Sequence, residues 1–313
     1  MSMKIVTAPQ GEVICMALRR ILDNVYVIPG SPKTIIAQLE ESTWIVDPGM
    51  GVDRDYVIKK SLKEVGNAKE IKVLLSHTHY DHIEALKGIK EYKVHVSVLE
   101  VGTLLDPTFR ERSTYGYNLL PRILGLEKLS LYDLAISPIL LNTEDLDNEL
   151  HVLKLPGHSP GHIGVSYEDI LFVGDSVFGD KLLKRVGIPY HINFVEAMKS
   201  LECVLDYAHE YDTIVLSHGP IVSRKRAEEL ILYNMSTMER IKELVINLID
   251  NLNEFSIDNI VYRVLKELSA EISPESIILG TPLVVSILND LSAERLVEVR
   301  SNGETIIWRI QEE

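Results

Sequence analysis

The sequence predicts an α/β fold followed by a second, mainly helical domain, and three observations lead there. Short β-runs alternate with loops and helical stretches from residue 25 to residue 217. After about residue 225 long helical patterns replace the strands. The chain then closes on LVEVRSNGETIIWRI, two apolar-rich strands around Asn302-Gly303, a favoured tight-turn pair. With 313 residues, 46% of them hydrophobic, there is material for one large core and a smaller one. The expected domains are 1–225 and 226–313.

The strands read in order as Val25–Ile28, Thr34–Leu39, Thr43–Asp47, Ile71–Ser76, Lys93–Leu99, Glu149–Leu155, Ile163–Tyr167, Ile170–Val173 and Thr213–Ser217. Helical spacing falls near Asp53–Val65, Glu84–Glu91, Phe194–Tyr207 and Arg224–Leu252. Ser273-Pro274 and Thr281-Pro282 each look like an N-cap followed by proline at the first helical position. Two short helices and a hairpin give a winged-helix layout. There is no internal repeat and no low-complexity tract.

Charge and cysteine use narrow the function classes. A net charge of −14 argues against a protein that grips nucleic-acid backbones broadly. From Leu230 onward there are seven Lys or Arg against fourteen Asp or Glu. The stretch Thr281–Leu296 carries one arginine, Arg295, where a groove-reading helix needs several basic or amide side chains. The C-terminal region is therefore expected to pack or to form a homodimer rather than read DNA. Cys15 and Cys203 sit in unrelated contexts, which argues against a disulfide framework and a cysteine metal site. No apolar run approaches about 18 residues. The start of the chain lacks a signal-peptide layout, so a cytoplasmic location without membrane contact is expected.

The stretch LLSHTHYDHIEAL places three histidines and an aspartate within six positions, obeying neither strand alternation nor helix spacing. Other histidines and an aspartate also follow the ends of apolar β-runs: His158 and His162 in LKLPGHSPGH, Asp175 in LFVGDSVFG, and His218 in TIVLSHGP. Loops at strand ends are where open α/β sheets build sites. Neutral imidazole and carboxylate suit zinc, iron or manganese, and this many groups exceed the needs of one tetrahedral ion.

His77-Thr78-His79-Tyr80-Asp81-His82 resembles the HxHxDH signature of the metallo-β-lactamase superfamily. Asp47 in VDPG, His158, Asp175 and His218 supply the remaining motifs in that family's order, over roughly residues 20–225. The resemblance implies an αβ/βα four-layer sandwich with metals at one edge. It also implies two divalent ions per chain, zinc first, with iron or manganese as alternatives. His77, His79 and His158 would hold the first ion; Asp81, His82 and His218 the second; Asp175 would bridge them. A bridging hydroxide held in part by Asp81 would attack a small ester, thioester or lactone. Single-strand RNA cleavage is the alternative, and a mononuclear iron oxidoreductase like the persulfide dioxygenases a second.

Around the ligands, Asp47 is expected to orient a ligand histidine and His162 to serve as a hydrogen-bonded support. Tyr190 and Asn193 in GIPYHINF, and Arg110 in TFRERSTYGY, are candidate contacts for a small-molecule substrate. Arg112, Tyr115 and Tyr117 share that insertion, which reads as a long loop. The glycine pair that often follows the family signature is replaced here by Ile83-Glu84-Ala85.

Overall fold

The computed structural model describes residues 18–51, 53–66, 70–115, 138–141, 146, 150–250, 255–301 and 306–310. Tyr117 and the Asn302-Gly303 turn lie outside the described residues, as does Cys15. Seven strands form the first sheet in chain order: β1 (Arg19–Arg20), β2 (Val25–Ile28), β3 (Thr34–Gln38), β4 (Ser42–Val46), β5 (Glu70–Leu74), β6 (Tyr92–Val96) and β7 (Pro138–Leu140). It runs antiparallel from β1 to β4 and parallel from β4 to β7. The second sheet is built from β8 (His151–Lys154), β9 (Ile163–Tyr167), β10 (Ile170–Phe172), β11 (Thr213–Val215) and β12 (Ile221–Ser223), in the order β12-β11-β10-β9-β8. Parallel neighbours need crossovers, and α1 (Arg54–Val65) supplies the one from β4 to β5. Helices α2 (Tyr80–Ile83), α3 (Val101–Leu105) and α4 (Pro107–Tyr115) follow within the first half. In the second half, α5 (Asp180–Val186) and α6 (Phe194–Ala208) carry the chain from β10 to β11.

The four layers follow from period-two alternation along strands buried on both faces. Val25, Val27, Ile35, Ala37, Trp44, Val46 and Leu74 of the first sheet meet Ile163, Val165, Ile170, Phe172 and Val215 of the second in one apolar layer. Their in-between neighbours Ile28, Ile36, Ile45, Val73 and Leu75 join Ile58 of α1 on the first sheet's other face. Leu171, Val173, Ile214 and Leu216 point the opposite way from Phe172 and Val215, toward Ala197, Leu201 and Val204 of α6.

The outer helical layer on that side does not stop at α6. The same cluster continues through Leu230, Met238, Ile241 and Val245 of α7 (Arg224–Asp250) into α8 (Ile257–Glu267) and α9 (Pro274–Ala293). It ends at Val297 and Trp308 of the hairpin β13 (Val297–Ser301) and β14 (Ile306–Ile310). Asn234 of α7, 2% exposed, accepts the Phe178 N–H at 3.0 Å and donates to the Phe178 carbonyl at 2.9 Å.

Three expectations need correction. Thr281-Pro282 starts no helix: Pro282 lies inside α9, and only Ser273 forms the cap, through a capping box with Ser276. Burial of Leu283, Val284 and Ile287 outweighs the lost backbone hydrogen bond, and the Thr281 hydroxyl donates to the Ile277 carbonyl. The helix expected at Glu84–Glu91 is instead α2 running into a 3-10 turn at Glu84–Gly88. The insertion read as a loop begins with two helices, α3 and α4. Among the described residues, α9 is the one helix long and apolar enough to cross a membrane, and here its Leu283, Val284, Ile287, Leu288 and Leu291 are buried in the shared core.

Since one core spans sandwich and tail, Leu283→Ala should cost about 2–5 kcal/mol. In a Trp308→Phe background, Trp44 fluorescence and far-UV circular dichroism should report the same lowered urea midpoint. Two separated transitions would show that the C-terminal helices fold on their own.

Candidate metal centre

The histidine cluster is irregular because it occupies a strand-to-helix turn. β5 ends at Leu74, His79 is the extended residue before α2, and Asp81 and His82 lie in that helix. His158 follows β8, Asp175 follows β10 and His218 follows β11. Two glycines allow these loops to close. Gly157 has φ +124°, and a Cβ there would meet the Ala197 backbone of α6 at 2.3 Å. Gly174 has φ +53°, and a Cβ there would meet His162 Nε2 at 2.4 Å.

Three imidazole nitrogens converge. His77 Nε2 lies 3.0 Å from His79 Nδ1 and 3.2 Å from His158 Nε2, and the last two are 3.0 Å apart. A tetrahedral zinc with bonds of about 2.0–2.1 Å sets its ligands about 3.3 Å apart, close to this triangle. A second set adjoins it: His218 Nε2 is 3.2 Å from Asp81 Oδ2, and His82 Nε2 is 3.8 Å from the same oxygen. Asp175 touches both sets. Its Oδ2 lies 3.5 Å from His158 Nε2 and 3.4 Å from His218 Nε2, and its Oδ1 lies 3.5 Å from His82 Nε2.

The outer ring nitrogens reveal why the inner ones are available. His158 Nδ1 donates to the Tyr190 carbonyl at 2.8 Å, and His82 Nδ1 donates to Asp47 Oδ2 at 2.8 Å. Ser76 gives its hydroxyl hydrogen to Asp47, so its oxygen accepts from His77 Nδ1 at 3.0 Å. His218 Nδ1 pairs with Ser31 Oγ at 2.6 Å. With those protons assigned outward, the Nε2 atoms present lone pairs to the centre. His82 Nε2 and Asp175 Oδ1 are buried without a hydrogen-bond partner, two acceptors facing each other. Such a donor set fits divalent cations.

The electrostatics separate the two sets. Burial, reinforced by neighbouring imidazoles, holds His77 well below the ordinary histidine value. Burial does the same to His158 against the pull of Asp175. At His82 burial is outweighed by Asp175, Asp81 and Asp47, which raise it well above that value. At His218 burial is likewise overcome by Asp175 and Asp81. The carboxylates thus make the second set favour positive charge, which the first set does not.

Asp47 is fully buried with φ 50°, and its oxygens are spent on the Ser76 N–H at 2.8 Å, the Ser76 hydroxyl and His82. It lies within ligand reach of His77 and His82, but those commitments make it an orienting group. His162 accepts the Asp175 N–H at 2.9 Å through Nε2 and sits 3.1 Å from the Leu155 carbonyl through Nδ1, so neither nitrogen faces the centre.

Sequence reasoning missed Glu100. Its buried carboxylate accepts from the Thr78 N–H and hydroxyl, the Ser159 hydroxyl and the Gly161 N–H. It clips the loop of His77 and His79 to the loop of His158. No motif marks it, and Ser31 and Ser76 carry equally little signal on their own. His191, which shares the GIPYHINF stretch with Tyr190 and Asn193, is 1% exposed, neither ring nitrogen has a hydrogen-bond partner, and burial pushes its pKa down to about 3.

Above the centre opens a cavity of about 370 Å³ bounded by His79, Asp81, His158, Asp175 and His218. Tyr190 lines it. Arg110 lines it too, yet it is 2% exposed and donates to the Thr103 and Leu104 carbonyls at 2.7 and 2.9 Å, which makes it a structural clamp. Asn193 is corrected: it caps α6, its carboxamide oxygen accepting the Glu196 N–H at 3.0 Å, and it does not border the cavity. Arg112 is exposed on α4.

Asp47→Asn should weaken retention of metal at the second set about 10–100-fold, because the His82 tautomer is no longer enforced. Competition with a chelator, followed by elemental analysis, reads this directly. Unchanged retention would remove Asp47 from its orienting role.

The chain is similar to several known proteins. A hydroxyacylglutathione hydrolase of Buchnera aphidicola subsp. Schizaphis graminum is 27% identical over 196 residues, 61% of this chain and 66% of the relative. The match thus leaves about a third of that relative's length uncovered. Two crystal structures share the fold. A beta-lactamase domain protein from Burkholderia ambifaria superposes with TM-score 0.68 at 14% identity, covering 97% of this chain and 96% of its own. A metallo-beta-lactamase family protein from Thermus thermophilus gives TM-score 0.67 at 16% identity, covering 93% and 100%. Residues 28–218, from the last residue of β2 to the final histidine of the centre, match the metallo-beta-lactamase superfamily, and the chain belongs to it.

Proposed function

We propose that this chain is a metal-dependent hydrolase of a small ester, thioester or lactone, holding two divalent ions, zinc first among the candidates. The observation that carries the reading is Asp175: one carboxylate within 3.5 Å of nitrogens from both histidine sets. His77, His79 and His158 would hold one ion, and Asp81, His82 and His218 the other. Bound divalent ions supply Lewis-acid polarisation of a carbonyl and lower the pKa of water. The chain's own residues do the rest. Asp81, 29% exposed where Asp175 is 6% exposed, borders the cavity and can accept a hydrogen bond from an attacking water. Burial of His77 and His158 keeps bulk solvent from their nitrogens. The Buchnera relative's name, hydroxyacylglutathione hydrolase, supports the thioester member of the class.

Elemental analysis after gentle purification should approach two ions per chain, and Asp175→Ala should lose most of the second. A saturated protein with one ion would favour a mononuclear enzyme.

The reaction class is tested with metal-replete protein against thioesters, lactones, phosphodiesters and single-stranded RNA. Acyl substrates should turn over, and Asp81→Asn should cut kcat by about 100-fold or more with the fold intact. Efficient RNA cleavage with every acyl compound untouched would replace this reading by a nuclease.

A further inference from the structure

The cleft over the metal centre has two lobes, and the chemistry would lie where they join. The larger is the cavity of about 370 Å³ already described. The smaller, about 130 Å³, is walled by Leu99, Phe109, Pro160 and Ile192. His79, Arg110, Thr114, His158 and Tyr190 border both. A bond held beside His79 and His158 therefore has one substituent in each lobe.

The lobes differ in what they offer. Every hydroxyl of the small lobe already donates within the protein: Thr78 and Ser159 to Glu100, Thr103 to the Glu100 carbonyl, Ser113 and Thr114 to helix carbonyls, and Tyr190 to the Thr114 carbonyl. A polar ligand group finds no free hydroxyl donor there, while Leu99 and Phe109 remain 62% and 51% exposed until something covers them. The large lobe mixes apolar walls, Met50, Leu182 and Leu279 of α9, with Arg185 and Glu111. Glu111 is 4% exposed and its Oε1 has no hydrogen-bond partner. A functionalised leaving group suits that lobe, and a plain hydrocarbon suits the other.

We infer that the small lobe is the acyl pocket and that it selects short, unsubstituted acyl chains, with Leu99 and Phe109 setting the length limit. This rests on the acyl-hydrolase reading above. In the reaction water adds to the acyl carbon, the C–S bond breaks, and the thiol leaves with a proton from the water. Since a cavity of roughly 150 Å³ takes a benzene ring, the lobe holds about five or six non-hydrogen atoms. A hydroxyl buried against Leu99, Phe109 and Ile192 would lose its hydration, so the site should disfavour hydroxyacyl groups.

The test is a series of N-acetylcysteamine thioesters from acetyl to decanoyl, with 3-hydroxybutanoyl beside butanoyl, on the zinc-replete full chain. We expect kcat/KM to peak near butanoyl to hexanoyl and to fall about tenfold or more by decanoyl. Butanoyl should exceed 3-hydroxybutanoyl by about tenfold. Leu99→Ala and Phe109→Ala, with circular dichroism unchanged, should move the peak to longer chains. Leu279→Ala, in the other lobe, should not move it. Turnover with a flat length profile, or a peak moved by Leu279→Ala and not by Leu99→Ala or Phe109→Ala, overturns the assignment. Titration with free carboxylates from acetate to decanoate keeps the two readings apart. Length-dependent binding that Phe109→Ala shifts, without any thioester turnover, sinks the hydrolase reading and retains the lobe; binding without length preference sinks the lobe.

Discussion

His77 Nε2 and His158 Nε2 face each other at 3.2 Å with no hydrogen between them, because each ring has its proton on the far nitrogen. Two lone pairs at that distance repel unless a cation sits among them, and the fold must hold them there regardless. His82 Nε2 against Asp175 Oδ1 repeats the problem with a carboxylate. The surrounding architecture answers this constraint by anchoring each ring from outside: Ser76 for His77, the Tyr190 carbonyl for His158, Asp47 for His82, and Ser31 for His218. Frustration at the centre is sustained by satisfied hydrogen bonds one layer out.

Three of those anchors border strands of the first sheet and the Tyr190 carbonyl comes from the loop between α5 and α6, while His158, Asp175 and His218 follow strands of the second sheet, which is why the sandwich matters to the chemistry. The Ser76 carbonyl accepts the Ile163 N–H at 2.9 Å, tying the end of β5 to the start of β9. The Ser217 carbonyl accepts the Lys33 N–H at 3.2 Å, tying the strand end before His218 to the turn that carries Ser31. Arg54 reinforces the same rim from below, donating to the carbonyls of Pro29 at 2.7 Å and Pro48 at 3.2 Å and to the Thr34 hydroxyl at 2.8 Å. A buried guanidinium with several fixed donors suits this task better than any amine could.

The C-terminal region acts on the same site through packing. Its apolar residues extend the core beyond α6, Asn234 grips both backbone groups of Phe178 three residues after Asp175, and Leu279 reaches the cavity wall. The acidic character that argues against a nucleic-acid reader leaves this structural contribution intact, since packing uses the apolar stripe of each helix and charge occupies the rest.

The ligand-type residues were legible because chemistry restricts them to a few residue types at loop positions just after β-runs. The two-sheet alternation was legible because strands buried on both faces are nearly continuous apolar runs. The supports were not. Glu100, Ser31 and Ser76 are ordinary residues in sequence, and their meaning comes from hydrogen bonds across 22 to 187 positions. Asn193 looked like a substrate contact because polar side chains near a site suggest ligands, yet a helix N-terminus claimed it first. Pro282 looked like a helix start because local propensity favours that reading, and burial of its neighbours overruled it. Residue type and order determined which atoms can bind a cation; only the tertiary structure decided which nitrogen of each ring faces inward, because that depends on partners distant in sequence.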